Sequence, residues 1–249
     1  MATPRIVEIY PPNPRSAVPL GVRINDTVYS TNLTGADLTT GKYVDGIDGQ
    51  AAQALENMRV LMERAGGSID NVGRVSAYVD SVEHREAFYK PWDLMYPDSS
   101  DRPAAHVVVA PLPPGRLIQL EMLALLGARR ERIDIQGISA RDPTVKIGGW
   151  VLTSRLHGSD ARTGQLAEGF EAQAPLAYQN AKILVELAGG KESNITQILV
   201  FLQEASNADL AREQFEKAFP NPEERPHFYS EVAYMAPRMD LMVEMTARL

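Results

Sequence analysis

The sequence of 249 residues contains no cysteine. Disulfides, thiolate metal sites and a cysteine nucleophile are therefore excluded, and a cytoplasmic home is expected. No apolar run approaches the ~18 residues of a membrane span, and the opening stretch MATPRIVEIYPPNPR lacks the apolar core of a secretory signal. Histidine is scarce. His84, His106, His157 and His227 show no HExxH or other close ligand spacing, so no metal site is expected. Positive charge is in deficit as well. The net charge of −7 argues against a nucleic-acid partner, which needs a basic face. Glycine-rich phosphate loops are missing too, because RAGGSID and LAGGKES end helical patterns rather than start them. No serine or lysine nucleophile stands in a recognisable motif.

What the chain does have is itself, twice. TNLTGADLTTG at 31–41 matches SRLHGSDARTG at 154–164, and the match extends without a gap at a shift of 123 positions. Val28 falls on Val151, Gln50 on Gln173, Asn57 on Asn180, and Gly66-Gly67 on Gly189-Gly190. Further along, Pro97 falls on Pro220, Arg102-Pro103 on Arg225-Pro226, and Glu121 on Glu244. A register held over so long a stretch points to duplication. The charge run GARRERI near 126–132 reads as a solvated linker, dividing the chain into 1–128 and 129–249.

Each half reads as strand, strand, helix, strand, helix, strand, strand. RIVEIY, GVRI and TVYST are short β-branched runs. Ala51, Leu55, Met58, Met62 and Ala65 recur at helical spacing and the Gly pair closes that helix. VGRVSAYV follows as a strand, then a shorter helix through HREAFYKPWDLMY, in which Pro91 either starts the main part or kinks it. AAHVVVAPL and RLIQLEMLAL are expected to pair across the Pro-Pro-Gly turn. The implied architecture is α+β, a mixed sheet with two helices on one face. The opposite sheet face is expected to lie open within one unit and to drive oligomerisation. Trp92, Tyr96 and Phe219 read as core of the short helices; His84 and His227 read as surface groups.

These residues resemble the Rid (YjgF-like) proteins, a family of enamine and imine deaminases. TNLTGADLTTG and SRLHGSDARTG are similar to the family's S-G-Q-x-P-x-D-P-x-T-G turn. The helix with an inner Asn before a Gly, and the endings RPAAHVVVAPLPPGRLIQLEM and RPHFYSEVAYMAPRMDLMVEM, complete the likeness. The resemblance implies two tandem chorismate-mutase-like units, with sites at subunit clefts of a trimer. For a tandem chain it implies a homotrimer of six pseudo-equivalent units. It also implies a small-molecule substrate, an anionic amino-acid derivative, and no metal or organic cofactor. The working residues depart from the family pattern. The family arginine that holds the substrate carboxylate is Ala105 in one half and Phe228 in the other, and the Gly of S-G-Q is Asn32 or Arg155. Each half is one residue short between this Pro and the last strand's Glu, and SAVPL stands where the family has G-P-Y-S.

By position, Glu121 and Glu244 match the glutamate that orients the attacking water. On the last strand Asp240, Met242, Glu244 and Thr246 share one side, so Glu244 has the more polar company. The plainer reading of both is a solvated or salt-bridged strand glutamate. Arg102 and Arg225 either replace the missing arginine, since a guanidinium suits a carboxylate, or sit as surface groups at a strand entrance. Arg155 either fills the old pocket or supplies a new clamp. Asn32, His106, Tyr229 and His157 stand beside these positions and can donate hydrogen bonds or move protons. The expected activity is hydrolytic deamination of a small enamine or imine acid, with 2-aminomuconate-type dicarboxylates as candidate substrates by analogy. Loss of the family arginine keeps a second class open, a non-catalytic small-molecule binder or scaffold.

Overall fold

Leu55, Met58, Leu61 and Met62 come to one side of a helix at three- and four-residue steps, and that side is buried. The computed structural model describes residues 5–13, 16–135, 137–138, 141 and 144–249. In the first half the elements are β1 (Ile6–Ile9), β2 (Gly21–Ile24), β3 (Thr27–Ser30), β4 (Leu33–Thr34), α1 (Gly46–Arg64), β5 (Val72–Val79), α2 (Tyr89–Met95), β6 (Ala104–Val109) and β7 (Ile118–Leu125). The second half supplies β8 (Arg130–Arg132), β9 (Thr144–Ile147), β10 (Trp150–Thr153), β11 (Leu156–His157), α3 (Phe170–Leu187), β12 (Ile195–Leu202), α4 (Ala208–Ala218), β13 (His227–Val232) and β14 (Leu241–Arg248). The long helices end alike. Gly66 and Gly189 take positive φ, and the next glycine's N–H returns to Met62 O or Val185 O, which satisfies carbonyls that a helix end leaves open.

Two compact units result. One comprises Met1–Pro103 with Val107–Arg130, the other Ala104–His106 with Glu131–Leu249. The first sheet has the order β1-β2-β3-β7-β5-β6, with β4 also on β7; the second runs β13-β12-β14-β10-β9-β8, with β11 on β14. β12 and β13 are parallel and β14 pairs antiparallel with both β12 and β10, so the sheet is mixed. In the second unit α3 and α4 pack on the face that carries Leu241, Val243, Met245 and Ala247. Trp92, Tyr96 and Phe219 are core, as expected. Pro91 lies in the first turn of α2, where its missing N–H costs nothing.

Three local expectations are corrected. β6 and β7 do not form a hairpin, because β5 lies between them. Ala110 N–H donates to Val79 O and Asp80 N–H to Leu117 O, so the Pro-Pro-Gly segment passes over the end of β5 instead of turning back beside β6. GARRERI is not a solvated linker, since residues 130–132 form β8. Arg130 is buried, and its guanidinium donates to the carbonyls of Ile69, Asp70, Val72 and Asp101, a set of acceptors that composition alone hides. Finally, the sheet face opposite the helices is not uniformly open. It is exposed at Glu121 but buried at Met242, Glu244 and Thr246.

Candidate active site

The repeated turn is built by the helix beneath it. Asn57 Nδ2 donates to Thr34 O and Ala36 O, and Asn180 Nδ2 donates to His157 O and Ser159 O, each at 2.8–2.9 Å. Gln50 and Gln173 clasp the segment before the last strand: Gln50 bonds Gly115 O and Leu117 N, Gln173 bonds Arg238 O and Asp240 N. A Cβ on Gly35 would lie 2.3 Å from Gln50 Cβ, and one on Gly158 would lie 2.5 Å from Gln173 Cβ. Turn and helix therefore touch only because glycine stands at both places. Asp37 and Asp160 close the loop tips, accepting from Thr40 N and Thr163 N. Ser30 and Thr153 accept from the backbone N–H of Met122 and Met245.

This scaffold brings the turn close to the late glutamate's strand in each unit. β4 pairs with β7 at Leu33↔Leu120, and β11 with β14 at Leu156↔Val243. Asn32 and Arg155 immediately precede those strands, and Glu121 and Glu244 immediately follow the residues that pair with Leu33 and Leu156. The two positions of each unit are therefore neighbours in the ladder's direction. Sequence order hides this meeting of the S-G-Q position with the late glutamate.

The surroundings of the two pairs differ. Asn32 and Glu121 are exposed. Desolvation by the neighbouring groups still raises the Glu121 carboxyl, with the Arg74 charge opposing it. Arg155 is only 7% exposed and Glu244 4%. The Arg155 guanidinium lies over the Phe201 ring, 5.4 Å from its centroid, a face that suits a cation. His157 is pushed down to about 4, first by burial and then by the Arg155 charge, so it is neutral at physiological pH. His106 Nε2 is 3.5 Å from Glu244 Oε2, and the His106 ring meets Phe201 edge-on at 5.6 Å. Thr153, Thr246 and Ser154 are buried in the same unit. A cation, a neutral imidazole and a carboxylate on adjoining strands can hold an anionic group and position a water.

The remaining expected residues lie elsewhere. Arg102 Nε donates to Tyr96 O and its Nη1 is 3.0 Å from Asp93 Oδ1. Arg225 repeats this on Phe219 O and Glu216. Both cations serve the carboxyl ends of α2 and α4, where positive charge is favourable, and that geometry accounts for them as strand-entrance groups. Tyr229 is exposed and stacks on His227 at 4.3 Å. Phe201, Asn57, Asn180, Gln50 and Gln173 were not singled out as site builders. The available signal was a polar residue recurring on the buried stripe of both long helices. Among the described residues no group of three or more His, Asp or Glu side chains could hold a metal ion, and no helix is long and apolar enough to cross a membrane.

Two units of this fold in one chain, each built on the same turn and late glutamate, define a tandem member of a known class. The model of the family described as endoribonuclease L-PSP matches residues 12–126 and again 138–249, so the chain belongs to that family, the Rid (YjgF-like) proteins. Curated relatives include a RutC family protein of Aquifex aeolicus, 26% identical over 118 residues, 45% of this chain and 94% of that protein. The 2-iminobutanoate/2-iminopropanoate deaminase of Salmonella typhimurium is 33% identical over 75 residues, 30% of this chain and 59% of its own length. The human protein of the same name is 27% identical over 107 residues, 43% of this chain and 77% of its own. Among solved structures, RidA from the Antarctic bacterium Psychrobacter sp. PAMC 21119 covers 47% of this chain and 94% of its own at 25% identity, with a TM-score of 0.42.

Proposed function

We propose that the second unit carries a hydrolytic deaminase site for a small enamine or imine carboxylic acid. The observation that supports this reading is the burial of both Arg155 and Glu244 in the second unit of a chain whose relatives include named 2-iminobutanoate/2-iminopropanoate deaminases. In the proposed reaction Arg155 holds the substrate carboxylate through charge-assisted hydrogen bonds. The enamine takes a proton on carbon to become the imine, and a water held by Glu244 adds to the C=N carbon. Glu244 receives the water's proton and returns it to the nitrogen, which leaves as ammonia when the carbinolamine gives up its hydroxyl proton and collapses to the ketone. Neutral His157 adds a hydrogen-bonding group without a second charge, which leaves the Arg155 cation as the anchor. No step calls for a metal or an organic cofactor. The finer part of the proposal is a 2-aminomuconate-type dicarboxylate, whose second carboxylate gives further work to cationic groups.

The same reading includes a homotrimer, since one chain supplies two units and a ring of this family takes three. Light scattering is expected to give about three times 27.4 kDa; a stable monomer at micromolar concentration would overturn that part. One observation favours a second reading, a binder without turnover: the family arginine is Ala105 in one half and Phe228 in the other. The deciding experiment follows ammonia release from 2-iminobutanoate generated in the assay and from 2-aminomuconate. Turnover that disappears in Glu244→Gln supports the enzyme. Saturable binding of the keto acids with no ammonia above the uncatalysed rate leaves the binder.

A further inference from the structure

Arg5, Arg23 and Arg64 line a cavity of about 160 Å³ in the first unit, together with Val7, Ile9 and Asn25. The chain is acidic overall, so three arginines around one small space need a reason. The duplication supplies a control. Arg23 Nη1 donates to Ala65 O at the end of α1, and the matching residue of the second unit, Lys146, donates to Ala188 O at the end of α3. One cation therefore suffices to close that helix end.

The other two are not needed to close the helix end. Arg64 falls on Leu187, so the second unit manages without a charge there. Arg64 Nε donates to Tyr10 O, which steers the side chain and leaves its terminal nitrogens for another acceptor. The backbone of Arg5 is fixed by Asn25, through Arg5 N to Asn25 Oδ1 and Asn25 N to Arg5 O, while its guanidinium needs no partner for that. Among the described residues the acid paired with the cluster is Asp26, 3.5 Å from Arg23 Nη2 and 80% exposed. Glu8, which alternates to the other side of β1 from Val7 and Ile9, holds the Tyr10 hydroxyl. Val7 and Ile9 give the cavity an apolar wall, where charge attraction is screened less than in open water.

We propose that this cavity is a binding site for a small polyanion bearing at least two carboxylate or phosphate groups, separate from the site of Arg155 and Glu244. The planar forks of Arg5 and Arg64 would each take one oxyanion, with Arg23 between helix end and ligand. The test is calorimetric titration of the full chain at low salt with two probes, citrate and inorganic pyrophosphate, and with acetate as a single-charge control. Saturable binding of either probe at one per chain is expected, and the preferred probe identifies the oxyanion. Arg64→Leu, which installs the second unit's own residue, should raise Kd at least about ten-fold, with Tm lowered only by the loss of the single bond to Tyr10 O. Arg5→Ala should do the same, and it provides the readout should Arg64→Leu fail to fold. Arg129→Ala, at an exposed arginine outside the cavity, should leave Kd unchanged. Absence of saturation with both probes, binding equal to that of acetate, or binding that survives both variants overturns the site.

Discussion

The two units place the same backbone around different chemistry. In the first, Asn32 and Glu121 are both exposed; in the second, Arg155 and Glu244 are both buried. The edge strands are reversed. β6 is buried over Ala104–Val108, whereas its repeat β13 leaves Tyr229 and Val232 open. Duplication has thus kept the hydrogen bonds that shape the turn and relaxed what the turn presents. A charge in water, such as that of Glu121, is screened and acts weakly, while the Arg155 charge in a dry setting acts strongly on any anion that enters. The burial difference, more than the residue difference, argues for chemistry in the second unit.

Four measurements break or sharpen that contrast. Glu244→Gln is expected to lower kcat/KM for ammonia release about 10²-fold or more, the scale of a positioned acid or base, with Glu121→Gln near wild type. The reverse result would move the site to the first unit. Next is the pH dependence of stability. The fold holds His157 at about 4, below its unfolded value. The unfolded chain therefore binds a proton first as pH falls below about 6.5. Stability should be full above that pH and drop by up to about 3 kcal/mol on the way to pH 4. Urea titrations across that range should show the slope shrink in His157→Gln; an unchanged slope would place the titration elsewhere.

Arg155→Ala should raise KM for a dicarboxylate about ten- to a hundred-fold, the loss of one charge-assisted pair, and much less for its mono-amide. Equal effects on both would make Arg155 a plug in an abandoned pocket. The smallest effect concerns the scaffold. Asn180→Ala strips two buried carbonyls of their donor and should cost about 1–3 kcal/mol in urea unfolding. Asn57→Ala should fall at the lower end, because Thr34 and Ala36 are only half-buried. Equal losses would mean that the turn is equally dry in both units.

Much of this is legible in the amino-acid sequence. The shift of 123 positions carries through the side-chain bonds of Asn57 and Asn180, Gln50 and Gln173, Ser30 and Thr153, and Arg102 and Arg225. Polar residues that recur on the buried stripe of a helix are there to be satisfied, and in this chain they hold the candidate site's turn. The Pro-Pro-Gly segment misled because a turn's composition is local while the choice of a strand's neighbour is not. Arg130 misled for the opposite reason. A charge run suggests solvent, yet four carbonyls supply what a buried guanidinium requires.

Periodicity, repeats and turn chemistry act over a few residues or over an exact internal copy, so they carried the duplication, the element types, the helix ends and the glutamates in question. Burial and register arise from residues far apart in the chain. Only the tertiary structure could therefore pair the strand after Arg155 with the strand of Glu244, bury both residues while leaving Asn32 and Glu121 open, and commit Arg102 and Arg225 to helix ends. The physical reason is that a side chain's charge is written in its identity, but its strength depends on how much water the rest of the fold leaves around it.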